Sequence, residues 1–211
     1  MADRYWVGGT ASWDGTAGTK WALISGGAGG QPIPTSADDV FFNAASGSNT
    51  VTLSPGNTGA KSINYTGFTG TIGGTGDIIV SGSITLVAGM TYTHTGFTTF
   101  NATATITSAG KTLGPITVNG SGITVTLADA LTLGSTRLFT LQAGTLNLNG
   151  FTLTTGLFNS NIGSVRTLAF GSGGQIFITG SSATVLNIGT IANMTITSGV
   201  IPGTFSLTAN A

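Results

Sequence analysis

Acid–base chemistry in this chain would have to come from very few side chains. The 211 residues hold six acidic groups, all Asp, six basic groups and one histidine, His94, and no cysteine. Without Cys there is no thiolate nucleophile, no disulfide and no Cys-based metal site, and the redox compartment stays open. Glycoside hydrolysis needs two carboxyl groups about 5–10 Å apart. Beyond residue 39 the only acids are Asp77 and Asp129. They fall at different offsets within the repeat described below, so they are not expected to stack on one ladder. A β-helix lyase would use a carboxylate cluster for calcium and a Lys or Arg base. Asp38-Asp39 is the one such cluster, and its neighbourhood offers too few further oxygen ligands; a turn and edge pair opening the first coil is expected instead.

His94 lies in the alternating stretch Thr91-Tyr92-Thr93-His94-Thr95 with no acid beside it in sequence, which predicts a structural or surface histidine. Gly120-Ser121-Gly122 lacks the spacing of a nucleophile elbow. The Gly-rich run 26–30 is not followed by Lys-Ser/Thr, so it is not a phosphate loop. The expectation is therefore a non-enzymatic protein without catalytic, cofactor-binding or metal residues.

Composition narrows the class further. Gly, Thr and Ser make up close to half of the chain, only 6% of residues are charged, and the net charge is zero. A neutral chain carries no electrostatic footprint for nucleic acid or for an anionic membrane surface. A mean hydropathy of +0.37 with 40% hydrophobic residues argues against disorder. No apolar run reaches the length of a membrane span. The start, Met1-Ala2-Asp3-Arg4-Tyr5-Trp6, lacks a basic region followed by an apolar stretch, so no secretory signal is expected.

The elements that could position these residues are short strands. Ile123-Thr124-Val125-Thr126-Leu127 and Thr145-Leu146-Asn147-Leu148-Asn149 alternate apolar and polar residues with period two. No stretch has helical periodicity. Gly67-Phe68-Thr69 recurs as Gly96-Phe97-Thr98, Gly122-Ile123-Thr124 and Gly150-Phe151-Thr152, at steps of 29, 26 and 28 residues. A repeat of this length that contains several strands and no helix indicates a solenoid. Hairpin dipeptides are nearly absent; Asn119-Gly120 and Asn149-Gly150 sit inside the repeat as coil corners. The fold expected is all-β, a parallel β-helix of about six to seven coils over residues 40–211, with an irregular N-terminal cap or attachment segment over 1–39.

Two ladders follow from that period. Phe68, Phe97, Ile123 and Phe151 are expected to stack inward as a core ladder. Thr69, Thr98, Thr124 and Thr152 are expected to form an exposed ladder, whose main role is a solvated β surface. A regular Thr array also raises an ice-binding reading, although Phe100 interrupts the neighbouring row. Trp6, Trp13 and Trp21, with Tyr5, are expected to cover the open end of the solenoid and to serve as an attachment patch. The uncharged stretch Phe205-Ser206-Leu207-Thr208-Ala209-Asn210-Ala211 has no polar cap after it, which predicts that a partner covers that end.

The N-terminal zone resembles the opening segment of bacterial and phage β-helix proteins: spaced Trp residues, the loop Gly26-Gly27, then Pro34-Thr35-Ser36-Ala37-Asp38-Asp39 before Val40-Phe41-Phe42. The stretch Ala143-Gly144-Thr145-Leu146-Asn147-Leu148-Asn149-Gly150-Phe151 is similar to the coil repeat of autotransporter passengers, although a signal peptide and a membrane barrel are not seen. The resemblance implies a structural protein of a phage virion, as capsid decoration, cement, fibre or spike. It would dock by one end and display the other. The implied assembly is a homotrimer with other virion proteins as partners, no nucleic acid and no membrane insertion. A carbohydrate-binding or polysaccharide-degrading tail protein acting on host-surface glycan, and a fragment of a bacterial surface adhesin, are the other implied roles.

Overall fold

The computed structural model describes residues 2–16, 18–56 and 58–198, with the backbone of Thr208–Ala209. The strands wind as a parallel β-helix, the all-β solenoid expected. Each coil lays one short strand on each of three faces. The first face stacks Asp3–Trp6, Asp39–Phe41, Ser62–Asn64, Ile84–Thr85, Ala104–Thr107, the second halves of Ile116–Leu127 and Leu138–Asn147, Arg166–Ala169 and Met194–Thr197, all in parallel. The third face stacks Thr58–Ala60, Ile78–Val80, Thr98–Phe100, the first halves of the same two long strands, Leu157–Asn159 and Leu186–Asn187.

The second face is divided. Ala11–Trp13, Thr50–Leu53, Thr71–Gly74 and Thr91–Tyr92 form one sheet. Thr112–Leu113, Leu131–Leu133, Thr152–Thr155, Gln175–Ile178 and Thr208–Ala209 form another. No ladder pairing among the described residues joins Thr91–Tyr92 to Thr112–Leu113.

The coil is shorter than the repeated motif suggests. On the first face Val40 pairs with Ile63, Ile63 with Ile84, Ile84 with Ile106 and Ile106 with Leu127, which are advances of 23, 21, 22 and 21 residues. The expected core ladder therefore does not form. Phe68 is buried in the turn after the first face, Phe97 is 44% exposed in the link before the third, and Ile123 and Phe151 are half-buried at two further corners. The inward ladder is instead Val40, Ile63, Ile84, Ile106 and Leu127, each at most 1% exposed. These are β-branched or Leu side chains at alternate positions, as a buried parallel strand requires.

The expected Thr ladder dissolves for the same reason. Thr69 is exposed, Thr98 points inward and is 2% exposed, and Thr124 and Thr152 lie half-buried on different faces. The outer Thr rows run along the second face, as Thr50, Thr71 and Thr91, and then Thr112, Thr132 and Thr154.

Corners are tight because coils stack at strand spacing, about 4.8 Å. Asn149 and Gly150 turn one corner with φ of 53° and 85°, and Phe151 N donates to Leu148 O across it. Between the second and third faces the backbones approach so closely that no side chain fits. A Cβ on Gly156 would sit 2.1 Å from Ser135 O, and one on Gly180 would sit 2.1 Å from Gly156 O.

Residue 39 does not separate a cap from a solenoid. Asp3–Trp6 and Ala11–Trp13 already pair in parallel with Asp39–Phe41 and Thr50–Leu53, so the first coil starts inside the segment expected to be irregular. What caps the end is the antiparallel strand Trp21–Ala22 against Asp3–Trp6. The three Trp side chains turn inward, at most 1% exposed. They pack on Phe42 with ring centroids 5.7, 5.9 and 6.1 Å away. Burial removes Trp6, Trp13 and Trp21 as an attachment patch. Tyr5 alone of that set faces outward, stacked on Phe41 at 4.8 Å. The expected open end at 205–211 lies outside the described residues apart from the Thr208–Ala209 backbone, which pairs with Phe177–Ile178.

Candidate functional site

Five of the six carboxylates are held one by one, by their own turn or by the adjacent coil. Asp38 accepts from Ala2 N, Thr35 N and Thr35 Oγ1 at 2.9, 3.1 and 2.8 Å. Asp39 accepts from Lys61 Nζ at 2.8 Å and from Ser62 Oγ. Asp14 closes a loop with Thr16 and Lys20. Asp77 accepts from Phe97 N at 2.9 Å. Asp129 accepts from Ser108 N and Ala109 N at 2.8 and 2.7 Å. The bonds to Asp77 and Asp129 run from one coil to the next, so each of these two Asp residues ties neighbouring corners together. Among the described residues no three His, Asp or Glu side chains gather as a metal site.

These bonds make the N-terminal coil acid-sensitive. Lys20 and Thr16 pull the Asp14 carboxyl down to about 2. Burial pushes Asp38 and Asp39 up, but the bonds from Thr35 and Ala2 on one and from Lys61 and Ser62 on the other outweigh it, and both end below the usual carboxylate range. A carboxyl with a folded pKa below its unfolded value, about 3.9, stabilises the fold above that value and loses the contribution as pH falls through the folded pKa. The melting temperature followed by tryptophan fluorescence should therefore hold above about pH 5 and fall between about pH 4 and 2. Asp38→Asn should flatten part of that fall; a profile unchanged by the substitution would remove Asp38 from the account.

Among the described residues the buried basic side chains are Arg4, His94 and Arg166. His94 is 3% exposed. Its Nε2 lies 2.7 Å from Gly76 O, so that nitrogen donates, and Nδ1 accepts from Tyr92 Oη at 3.3 Å. Both ring nitrogens are satisfied in the neutral form, and burial pulls the pKa down. His94 is thus a structural histidine joining coils. Arg166 is 0% exposed and has no carboxylate partner among the described residues. Its guanidinium donates to Ser160 O, Ser160 Oγ, Ser164 O, Ala192 O and Thr190 O. Nothing in its sequence neighbourhood, Ser164-Val165-Arg166-Thr167, distinguishes a buried Arg from a surface one.

One concavity lies on the flank, where the second face is divided. It has a volume of about 350 Å³ and touches three successive coils at Tyr92–Thr95, Thr112–Leu113 and Gly134–Arg137. Its cause is the unequal length of the links from the second to the third face. Strands end at Tyr92 and resume at Thr98, end at Leu113 and resume at Ile116, then end at Leu133 and resume at Leu138. The middle link is only Gly114-Pro115, set between links of five and four residues, so the surface is notched there. Arg137 enters the notch half-buried.

The arrangement defines a parallel β-solenoid with a small flank cleft. No family model matches the chain, and no curated protein or solved structure matches it.

Proposed function

We propose that the chain is a non-enzymatic structural protein of a phage particle, a rigid β-solenoid that acts as a decoration, fibre or spike module and assembles as a homotrimer. The observation that carries the non-enzymatic reading is the use of the carboxylates. Asp14, Asp38, Asp39, Asp77 and Asp129 each accept hydrogen bonds from their own turn or the adjacent coil. A general acid and a nucleophile would instead have to share one groove. The stacked coils, locked by ladder bonds, buried aliphatic columns and glycine corners, suit a part whose task is to hold shape. The phage setting comes from the resemblance of the Trp-, Gly- and Asp-marked N-terminal segment. A chain with charges on only 6% of its residues also suits a protein that buries much of its surface in an assembly.

Sedimentation and native mass measurement test the assembly, with a species about three times 20.9 kDa expected. Incubation with bacterial surface polysaccharide should release no reducing sugar. Detection of the chain in purified particles of the phage that encodes it would support the placement. A monomer at micromolar concentration, or sugar release that Asp77→Ala or Asp129→Ala abolishes, would overturn the proposal.

A further inference from the structure

The flank notch holds a cation with nothing to do. Lys20 pairs with Asp14 and Lys61 with Asp39, Arg4 donates to Pro32 O, Lys111 donates to Ala88 O, and Arg166 is caged by carbonyls. Among the described residues Arg137 is the basic side chain that makes no hydrogen bond or ion pair. Arg137 is half-buried, unpaired and part of the notch lining, and a guanidinium is the group that carboxylates engage in two parallel bonds.

The rest of the lining is hydroxyl-rich. Thr112, Ser135 and Thr136 are exposed at the rim, and the floor holds Leu113 and the inward-turned His94. One fixed positive charge matches a singly charged carboxylate better than a phosphate dianion, and a ring of hydroxyls matches a polyol. A volume of about 350 Å³ lies at the small end of ligand pockets, which run from about 300 to 1,000 Å³. That is room for a single ring rather than a chain of them. We infer that the notch binds a uronate, a sugar ring bearing one carboxylate, with Arg137 taking the carboxylate and the rim hydroxyls taking the ring hydroxyls. The inference stands apart from the chain's place in any particle, because it rests on the link lengths and on Arg137.

His94 supplies the probe, being the chain's only histidine and part of the lining. Its imidazole resonances should shift saturably as the full chain is titrated with D-glucuronate at constant pH. Glucose and acetate at the same concentrations should give no saturable shift. Arg137→Gln should weaken glucuronate binding at least tenfold with an unchanged melting temperature, since the side chain it removes bonds to nothing. Thr112→Val, on the neighbouring coil of the lining, should weaken it several-fold and keeps the test open if the first variant is unstable. Absence of a saturable shift, equal binding of acetate or glucose, or equal affinity in the Arg137→Gln protein would each overturn the assignment.

Discussion

Arg166→Met is expected to free the last described coils from the rod while the body stays folded. The guanidinium in Arg166–Ala169 reaches the carbonyls of Ser160 and Ser164 in the link before its own strand, and those of Thr190 and Ala192 in the link before Met194–Thr197. One side chain therefore holds two successive links together at the point where the coil lengthens, since Leu168 pairs with Ile196 twenty-eight residues on. Methionine fills a similar volume but donates nothing. Each buried carbonyl left without a donor costs about 1–3 kcal/mol, and water reaching the outer ones offsets part of that. A net loss of about 3 kcal/mol follows, confined to the terminal coils because a solenoid's coils couple mainly to their neighbours. Amide exchange in Arg166–Ala169 and Met194–Thr197 should accelerate about a hundredfold, while Ile84–Thr85 stays protected. Arg166→Lys should recover part of the loss, having fewer donors in a different geometry. Uniform protection across both variants would show that the cage is dispensable.

The motif that revealed the solenoid also misstated its period, for a geometric reason. Gly67-Phe68, Gly96-Phe97, Gly122-Ile123 and Gly150-Phe151 step through the three kinds of corner: the turn after the first face, the link before the third, the bend between the third and the first, and the turn after the first face again. Each recurrence adds about a third of a coil to a full coil. Three motif steps span 83 residues, which is close to four coils of about 21. Gly followed by a large apolar residue marks any corner of this fold, so it reported corner frequency rather than coil length. Strand alternation was legible because inward positions such as Val125, Leu127, Leu146 and Leu148 are apolar and their neighbours polar. The notch was not legible, because it depends on the lengths of three links that become comparable only once the coils are aligned. Nor was the inward turn of the Trp residues, whose spacing suits both a packed cap and an exposed patch.

Phe42→Ala is expected to loosen the N-terminal cap before the rest of the solenoid melts. Phe42 is 0% exposed and its ring meets five others: Trp6, Trp13 and Trp21 on one side, and Tyr65 and Phe68 on the other, at 5.0 and 5.6 Å. Its ring joins the indoles of the cap to the aromatic side chains of the next coil. Truncation of a buried Phe to Ala costs about 3–5 kcal/mol, the loss growing with the cavity that remains. Collapse of that cavity is hindered here, because its walls are rigid indoles and Trp6 Nε1 is tied to Gly9 O at 3.0 Å. Among the described residues Trp21 Nε1 has no hydrogen-bond partner, so the cap has little to spare. The three Trp side chains are the chain's only tryptophans and all lie in this cluster, so their fluorescence reads the cap alone. In the variant the fluorescence transition should move at least several degrees below the far-ultraviolet circular dichroism transition, which reads all the coils; in the parent chain the two should coincide. Phe42→Leu, which keeps most of the volume, should close most of that gap. Coincident transitions in Phe42→Ala would mean that cap and coils melt as one unit, and would place the cap's stabilisation in the strand pairing of Asp3–Trp6 rather than in its rings.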